Sequence, residues 1–124
     1  MAWNLTTDRP IYLQLMEQIQ LSILSGIYKP GARLPSVRDL SAEASVNPNT
    51  MQKALQELER TGLIFSLRTS GRFITEDTDM IEELKKNYVR NQVLEFYRSL
   101  KELGFTKEEI IHYMNIIDKE EGLE

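Results

Sequence analysis

Cysteine is absent from the 124-residue sequence, and histidine occurs once, as His112. The lack of cysteine excludes disulfide bonds, thiolate metal ligands and cysteine nucleophiles, and it is typical of a reducing compartment, so we expect a cytoplasmic location. His112 has no histidine or cysteine neighbour in the sequence with which to share a metal ion, and the glutamate pairs near it are typical of solvated or helix-capping charges. We therefore expect no enzymatic activity, no metal site and no cofactor.

Long apolar runs are also absent. No stretch approaches the ~18 consecutive apolar residues of a transmembrane helix, and the first residues lack the basic start and apolar core of a secretion signal. An apolar content of 41% and a charged content of 27% are ordinary for a globular protein. The length allows one domain, or one small domain with an appendage.

An overall positive charge, which would favour a polyanionic partner, is missing as well, because the net charge is −4. The two parts of the chain differ, however. Residues 1–75 carry 8 Lys+Arg against 6 Asp+Glu, a balance of +2, and residues 76–124 carry 7 against 13, a balance of −6. Chance can produce such a split in a short chain. The split is also what we expect if a polyanion binds residues 1–75 and is repelled by residues 76–124.

Residues 1–75 contain start and stop signals for three helices. Pro10 is tolerated at the start of the first helix, whose apolar residues recur at helical spacing from Leu13 onward, and Gly26 is expected to end it. Ser36 is a suitable N-cap for a short second helix, and after a turn Asn47 caps a third helix that stops at Gly62. Two helices joined by a tight turn, the second with a polar start, are typical of a helix-turn-helix that inserts a helix N-terminus into the DNA major groove.

Two short strands are predicted next, at residues 63–67 and 72–75, with a tip in which Gly71 is free to adopt positive φ. A long amphipathic helix follows from Asp77, and a capping box at Thr106 opens the last helix. The fold class is therefore mainly α with a small β-hairpin: a winged helix-turn-helix over residues 1–75, followed by a two-helix segment over residues 76–124.

The start of the third helix offers polar side chains that can hydrogen-bond base edges. Arg38, near the start of the second helix, is expected to point out beside it, where a guanidinium can bind guanine or phosphate; the alternative is a surface arginine paired with Asp39 or Glu43. The hydroxyl of Ser36 can face a phosphate or serve as a cap alone. The candidate residues of the third helix are Asn47, Asn49, Thr50, Gln52 and Lys53.

The predicted hairpin tip carries two arginines in five residues. Arginine is favoured in the negative potential of the DNA minor groove, so we expect the tip to lie along that groove. The alternative is an exposed turn whose charges serve solubility. The candidate contact residues of the tip are Arg68, Ser70, Gly71 and Arg72.

Several motifs in fixed order resemble the GntR family of bacterial transcription regulators over roughly residues 9–75. They are Pro10-Ile11-Tyr12-Leu13-Gln14, Ser25-Gly26, Lys29-Pro30-Gly31, Leu34-Pro35-Ser36-Val37-Arg38-Asp39-Leu40, Val46-Asn47-Pro48-Asn49-Thr50-Met51-Gln52 and Leu55-Gln56-Glu57-Leu58-Glu59-Arg60-Thr61-Gly62-Leu63-Ile64. The resemblance implies DNA contacts at Arg38, Asn47, Asn49, Thr50 and Gln52, and a phosphate near Tyr12. It also implies that Gly71 lies close to the DNA backbone or minor groove.

One motif departs from this resemblance. The wing of the family usually has the form Arg-Arg-Gly-x-Gly-x-Phe, but here Leu67 stands at the first arginine and Thr69 at the first glycine. We expect a stiffer wing that sits differently in the groove. Arg72 could supply the missing charge, although strand alternation could also direct it away.

The short C-terminal part resembles the YtrA-like subfamily, in which the last helices chiefly dimerise. Their apolar stripe is too broad to be buried within one small domain, whereas pairing with a second copy would bury it. The chain is thus expected to be a homodimeric repressor that binds a pseudo-palindromic operator in double-stranded DNA. The residues expected at the dimer contact are Ile81, Leu84, Tyr88, Val93, Phe96, Leu100, Ile110, Met114 and Ile117.

Two alternatives remain open. A winged helix can serve as a protein-interaction module without DNA, although the polar surface described above lacks the apolar anchors of such an interface. The C-terminal helices could instead form a pocket for a small effector, lined by aromatic side chains that are more often core. The residues considered for that pocket are Tyr88, Phe96, Tyr97 and Tyr113.

Overall fold

The computed structural model describes residues 3–122. This part of the chain is mainly helical with one small antiparallel sheet, which confirms the predicted fold class. It divides into two compact units, the first ending at Lys85 and the second beginning at Lys86. The elements are α1 (Ile11–Leu24), α2 (Val37–Ala44), α3 (Pro48–Thr61), β1 (Ile64–Leu67), β2 (Gly71–Ile74), α4 (Thr78–Glu102) and α5 (Lys107–Glu121).

The core of the first unit is formed by the apolar faces of α1, α2 and α3 together with the hairpin. Leu15, Leu40 and Leu55 are completely buried, and burying one such side chain stabilises a fold by about 1.5–3 kcal/mol. Leu13, expected on the buried face of α1, is 36% exposed instead. Its neighbour Gln14 is buried although it is polar. Its side-chain amide donates to the carbonyl oxygens of Thr6 (2.9 Å) and Arg9 (2.8 Å), and these bonds hold the segment before α1.

The helix-turn-helix is set by local capping, as predicted. The hydroxyl of Ser36 accepts a hydrogen bond from the backbone N–H of Asp39 (3.1 Å) at the start of α2. The side-chain oxygen of Asn47 accepts one from the N–H of Asn49 (2.8 Å) at the start of α3. Between the helices Ser45 takes a left-handed conformation with φ of 56°, which closes the turn tightly.

The wing is the hairpin of β1 and β2. β1 begins one residue later than predicted and ends where predicted, and β2 lies one residue earlier than predicted. Its register pairs Ile64 with Ile74 and Leu67 with Gly71. Ile64 and Ile74 are buried and anchor one face of the hairpin on the core. A third segment, not predicted, borders β2, since Arg33 forms an antiparallel bridge with Phe73.

The first turns of α4 belong to the first unit, ten residues beyond the boundary expected at Thr75. Ile81 is only 7% exposed and lies in the core of that unit, and Leu84 packs against the same core. Ile81 is therefore removed from the expected dimer contact, because its side chain is buried within one copy of the chain, whereas Leu84 is only partly buried and stays a prediction.

The second unit consists of the rest of α4, the turn after it, and α5. The predicted capping box is confirmed: the N–H of Glu109 donates to the Thr106 hydroxyl (3.2 Å), and the N–H of Thr106 donates to the Glu109 carboxylate (3.1 Å). Ile110 is buried between the two helices. Over residues 3–122 no helix combines the length and apolarity that crossing a membrane requires.

Candidate nucleic-acid interface

The N-terminal turn of α3 presents the polar surface that the sequence predicted. Asn47 and Asn49 are exposed, while Thr50 and Gln52 are partly buried. Because the Asn47 oxygen is used in the cap, its amide NH2 group is what remains for a ligand. The apolar side of the helix, with Met51 and three further residues buried, holds this surface in place.

Lys53 and Tyr12, assigned to DNA binding on separate grounds, lie together. The Lys53 ammonium nitrogen is 3.9 Å from the centroid of the Tyr12 ring, well inside the ~6 Å range of a cation–π interaction. Tyr12 is itself partly buried and packs against the core. The contact thus links α1 to the recognition surface of α3 and restrains a lysine that is otherwise exposed.

Arg38 is exposed in the first turn of α2, and it takes part in none of the ion pairs formed among residues 3–122. The alternative in which Asp39 or Glu43 neutralises it therefore has no support in the described geometry. Its guanidinium keeps its donors for a ligand. Ser36, immediately before the helix, is also exposed, and its hydroxyl acts as the N-cap.

The wing tip holds three of the predicted residues at the surface. Arg68, Ser70 and Gly71 are all exposed, and the tip is closed by a hydrogen bond from the N–H of Ser70 to the carbonyl of Leu67 (3.1 Å). Gly71 has φ of 104°, a conformation that side chains rarely adopt. Arg68 is thus available at the tip, as expected.

The side chain of Arg72, a candidate DNA contact of the wing tip, is directed into the protein instead. Its Nε donates to the Glu59 carboxylate at 2.7 Å, and its side chain is only 18% exposed. Ser66 pairs with Arg72 in the register and donates its hydroxyl to the same carboxylate. Strand alternation therefore directs Arg72 towards α3, and its charge is paired within the protein.

Glu59 connects the wing to the recognition helix. Burial by itself would raise the pKa of the Glu59 carboxyl, but the hydrogen bonds from Ser66 and Arg72, with the charge of that arginine, outweigh burial and lower it. The carboxylate therefore stays ionised near neutral pH and holds both strands of the hairpin against the C-terminal half of α3.

Arg33 is a residue of this surface that sequence reasoning missed. Its guanidinium lies directly against Gly71, and it helps to line a cleft of about 330 Å³ between the segment before α2 and the wing. The available signal was an arginine next to the Leu-Pro-Ser motif at the edge of a turn. The cleft is lined by Arg33, Leu34, Pro35, Ser36, Val37, Ser66, Leu67, Arg68, Gly71 and Arg72.

The second unit carries most of the residues expected at a dimer contact. Tyr88, Val93, Phe96, Met114 and Ile117 are exposed, with Val93 at 57%, whereas Leu100 is partly buried and Ile110 is buried within the unit. A cleft of about 310 Å³ with an entirely apolar lining opens between α4 and α5. It is lined by Phe96, Leu100, Phe105, Ile110, Tyr113, Met114 and Ile117.

Two of the four aromatic residues considered for an effector pocket, Phe96 and Tyr113, line that cleft, and Tyr88 and Tyr97 do not. Tyr113 packs edge-on against Phe105 at 5.8 Å between ring centroids. His112 is exposed. Over residues 3–122 no three histidine, aspartate or glutamate side chains gather closely enough to hold a metal ion.

Comparison with known families and sequences gives one consistent result. The family model described as bacterial regulatory proteins, gntR family, matches residues 11–74. The uncharacterised HTH-type transcriptional regulator YhcF of Bacillus subtilis is 40% identical over 105 residues, which are 85% of this chain and 87% of that protein. The HTH-type transcriptional repressor YtrA of the same organism is 46% identical over 78 residues, 61% of this chain and 60% of that protein.

Solved structures agree. A GntR family transcriptional regulator from Listeria monocytogenes superposes with a TM-score of 0.85 at 36% identity, covering 90% of this chain and 97% of its own. The DNA-binding domain of AraR in complex with operator ORE1 superposes with a TM-score of 0.53 at 27% identity, covering 60% of this chain and 94% of its own. The chain belongs to the GntR family of bacterial regulatory proteins and is a DNA-binding transcription regulator.

Proposed function

We propose that the chain is a homodimeric cytoplasmic repressor that binds a pseudo-palindromic operator with one recognition helix in each half-site. The observations that carry the proposal are the polar start of α3, with Asn47 and Asn49 exposed, and the exposed Arg38 in the first turn of α2, a guanidinium without an ion pair among the described residues. Asn49 and Gln52 can bond adenine edges in the major groove, and Arg38 can bond guanine or a phosphate. Arg68, at the wing tip, would enter the adjacent minor groove.

The dimer part of the proposal rests on the apolar surface of the second unit. Phe96, Met114 and Ile117 are each about half exposed and border a cleft without polar lining. A surface of this kind is costly to leave in water and is typical of a protein interface. A second copy, packed through a two-fold axis, would cover it and present two recognition helices about 34 Å apart, one turn of DNA.

Repression is supported by the relatives. YtrA of B. subtilis is named a repressor, and the AraR domain was solved on an operator. A protein that occupies a promoter-proximal operator blocks access to the promoter by steric exclusion. The charge balance between residues 1–75 and residues 76–124 fits this role, because the first part can approach phosphates that the second would repel.

The test begins with selection of the genomic DNA fragments that the purified full-length chain binds. We expect a motif with two-fold symmetry, half-sites about one helical turn apart, and lower transcription from a linked promoter when the protein is present. Binding without sequence preference at moderate salt would contradict the regulator assignment. An asymmetric single site would contradict the dimer, and raised transcription would contradict repression.

The dimer is tested by a pair of matched substitutions in α5. Met114→Glu places a charge at the apolar cleft, whereas Asn115→Glu adds the same charge at an exposed position that does not line it. We expect the first variant to sediment as a monomer with weakened operator binding, and the second to remain dimeric. If both variants stay dimeric at micromolar concentration, the cleft does not form the interface.

A second candidate function is favoured by the same cleft, whose volume of about 310 Å³ and apolar lining suit a small hydrophobic effector. Binding there would compete with, or reshape, the proposed dimer contact. A thermal shift of the full-length chain with a panel of apolar ligands tests this role. A ligand-induced rise in melting temperature that Met114→Glu abolishes and Asn115→Glu retains would support the effector role. If no ligand raises the melting temperature, dimerisation is the remaining proposed role of the cleft.

A further inference from the structure

The segment around Arg33 forms a third strand at the edge of the wing. The N–H of Leu34 donates to the carbonyl of Arg72 (2.9 Å), and the N–H of Ile74 donates to the carbonyl of Ala32 (2.8 Å). Arg33 itself pairs with Phe73. The backbone of Arg33 is therefore held by the sheet, and the direction of its side chain follows from the pairing.

The side chain of Arg33 extends along the outer face of the sheet towards the wing tip. Residues two apart in a strand share a face, so Gly71 and Phe73 lie on one face and Arg72 on the other. A Cβ atom built on Gly71 would be only 3.1 Å from the Nε of Arg33. The guanidinium thus occupies the space that a side chain at Gly71 would fill.

This arrangement puts a cation beside Leu67. Leu67 is opposite Gly71 in the register, so its side chain projects from the same face, and it is 49% exposed. Position 67 has no charge of its own. The guanidinium of Arg33, reaching across β2, supplies a positive charge to the face of the wing that carries Leu67 and Gly71.

The electrostatics of the cleft favour an anion. Arg33 and Arg68 are both exposed, and neither takes part in an ion pair among residues 3–122, whereas the Nε of Arg72 is used by Glu59. Ser36 also lines this cleft. Two guanidinium groups with free donors and a hydroxyl form a surface on which a phosphate can bind bidentately.

We propose that Arg33 is a further DNA-contacting residue that binds a backbone phosphate beside the wing. The inference rests on the proposed docking of α3 in the major groove and of the wing tip in the adjacent minor groove. The cleft lies between the start of α2 and the wing, so in that docking it faces the sugar–phosphate backbone that separates the two grooves. A residue there positions the wing without recognising a base.

The experiment compares Arg33→Gln with Arg60→Gln in the full-length chain. Arg60 is a control for the loss of charge, since it is highly exposed and lies at the far end of α3; unlike Arg33, which has no ion pair within residues 3–122, it pairs with Glu57 at 3.4 Å. Binding is measured by fluorescence anisotropy on the selected operator and on a random duplex over a range of salt concentrations. Arg33→Lys, which keeps the charge but not the bidentate geometry, and the double variant Arg33→Gln/Leu67→Arg are measured alongside.

We expect Arg33→Gln to weaken binding roughly tenfold for each half-site, as for the loss of one charge-assisted hydrogen bond, and therefore roughly a hundredfold for the dimer. The loss should be similar on both duplexes, because phosphates carry no sequence information. The slope of log Kobs against log salt should fall by about 1.8, which is about 0.9 for each of the two protomers of the proposed dimer. Arg33→Lys should retain the wild-type slope, and Leu67→Arg should restore affinity to Arg33→Gln, because it places a guanidinium on the same face.

Several results would overturn the inference. Affinity and salt slope in Arg33→Gln that match wild type or Arg60→Gln would show that Arg33 meets no phosphate. A loss confined to the operator would make it a base-recognising residue instead. An Arg33→Lys slope as low as that of Arg33→Gln would also contradict the assignment. If the wild-type chain binds neither duplex, the proposed function fails as well, which distinguishes that outcome from failure of Arg33 alone.

Discussion

The contact between Lys53 and Tyr12 makes a quantitative prediction about DNA affinity. With the ammonium 3.9 Å from the ring centroid and exposed to solvent, the cation–π interaction is expected to contribute about 0.5–1 kcal/mol. An ammonium above a ring still has N–H donors directed away from it. If the ring holds Lys53 in the rotamer that binds a phosphate, Tyr12→Leu should weaken DNA binding by about 2- to 5-fold for each half-site of the proposed dimer.

The matched variant is Tyr12→Phe, which keeps the ring and removes only the hydroxyl. We expect it to bind DNA within error of wild type if the ring is what matters. Lys53→Gln should lower the salt slope of binding by about 1.8, which is about 0.9 for each of the two protomers of the proposed dimer. In the double variant Tyr12→Leu/Lys53→Gln, the loss should be smaller than the sum of the single losses, because the ring then has no ammonium to position.

Anisotropy titrations with the selected operator measure these values, and thermal melts control for stability, since Tyr12 also packs on the core. Tighter binding by Tyr12→Leu would refute the reasoning, because it would mean that the ring competes with DNA for Lys53. Additive losses in the double variant would show that the two residues act independently. A Tyr12→Phe loss as large as that of Tyr12→Leu would assign the effect to a hydroxyl–phosphate contact instead.

Two further predictions concern Arg38 and Glu59. Arg38→Ala should cost about 1–3 kcal/mol in operator binding if the guanidinium bonds a base edge, whereas an equal loss on random duplex in the same titration would indicate a phosphate. Because the pKa of Glu59 is lowered on folding, its stabilisation is complete above the unfolded pKa of about 4.3 and is lost as the pH falls through the lower folded value. The melting temperature of wild type should thus exceed that of Glu59→Gln at pH 7 and converge with it in acid; a constant difference down to pH 2.5 (about two pH units below that unfolded value) would contradict this role.

The elements that the sequence predicted well are those with local signals. The caps at Ser36, Asn47 and Thr106 all form as expected, because a capping side chain bonds an N–H only two or three residues away. The fold class followed from these boundaries and from the two short strands predicted after them. The exposed position of Arg38 was predicted for the same reason, since the cap sets which residues begin the helix.

The errors involve contacts between residues distant in sequence. Periodicity placed Leu13 on the buried face of α1, but the buried polar residue is Gln14, whose amide bonds the segment before the helix. Ile81 was assigned to dimerisation because it belongs to the apolar stripe that continues along α4, yet the core of the first unit covers its side chain. Periodicity identifies an apolar stripe but carries no information about which neighbour buries each part of it.

The wing shows how such a distant contact changes a functional assignment. Two arginines near its tip are equivalent in the sequence, but Glu59, thirteen positions before Arg72, pairs with that side chain and not with Arg68. Since Glu59 belongs to α3, the same pairing ties the hairpin to the recognition helix. Displacing the wing would therefore break an ion pair on the helix, so we expect α3 and the wing to approach DNA as one rigid surface. Arg68 and Arg33, which form no ion pair among the described residues, would supply the cations of that surface.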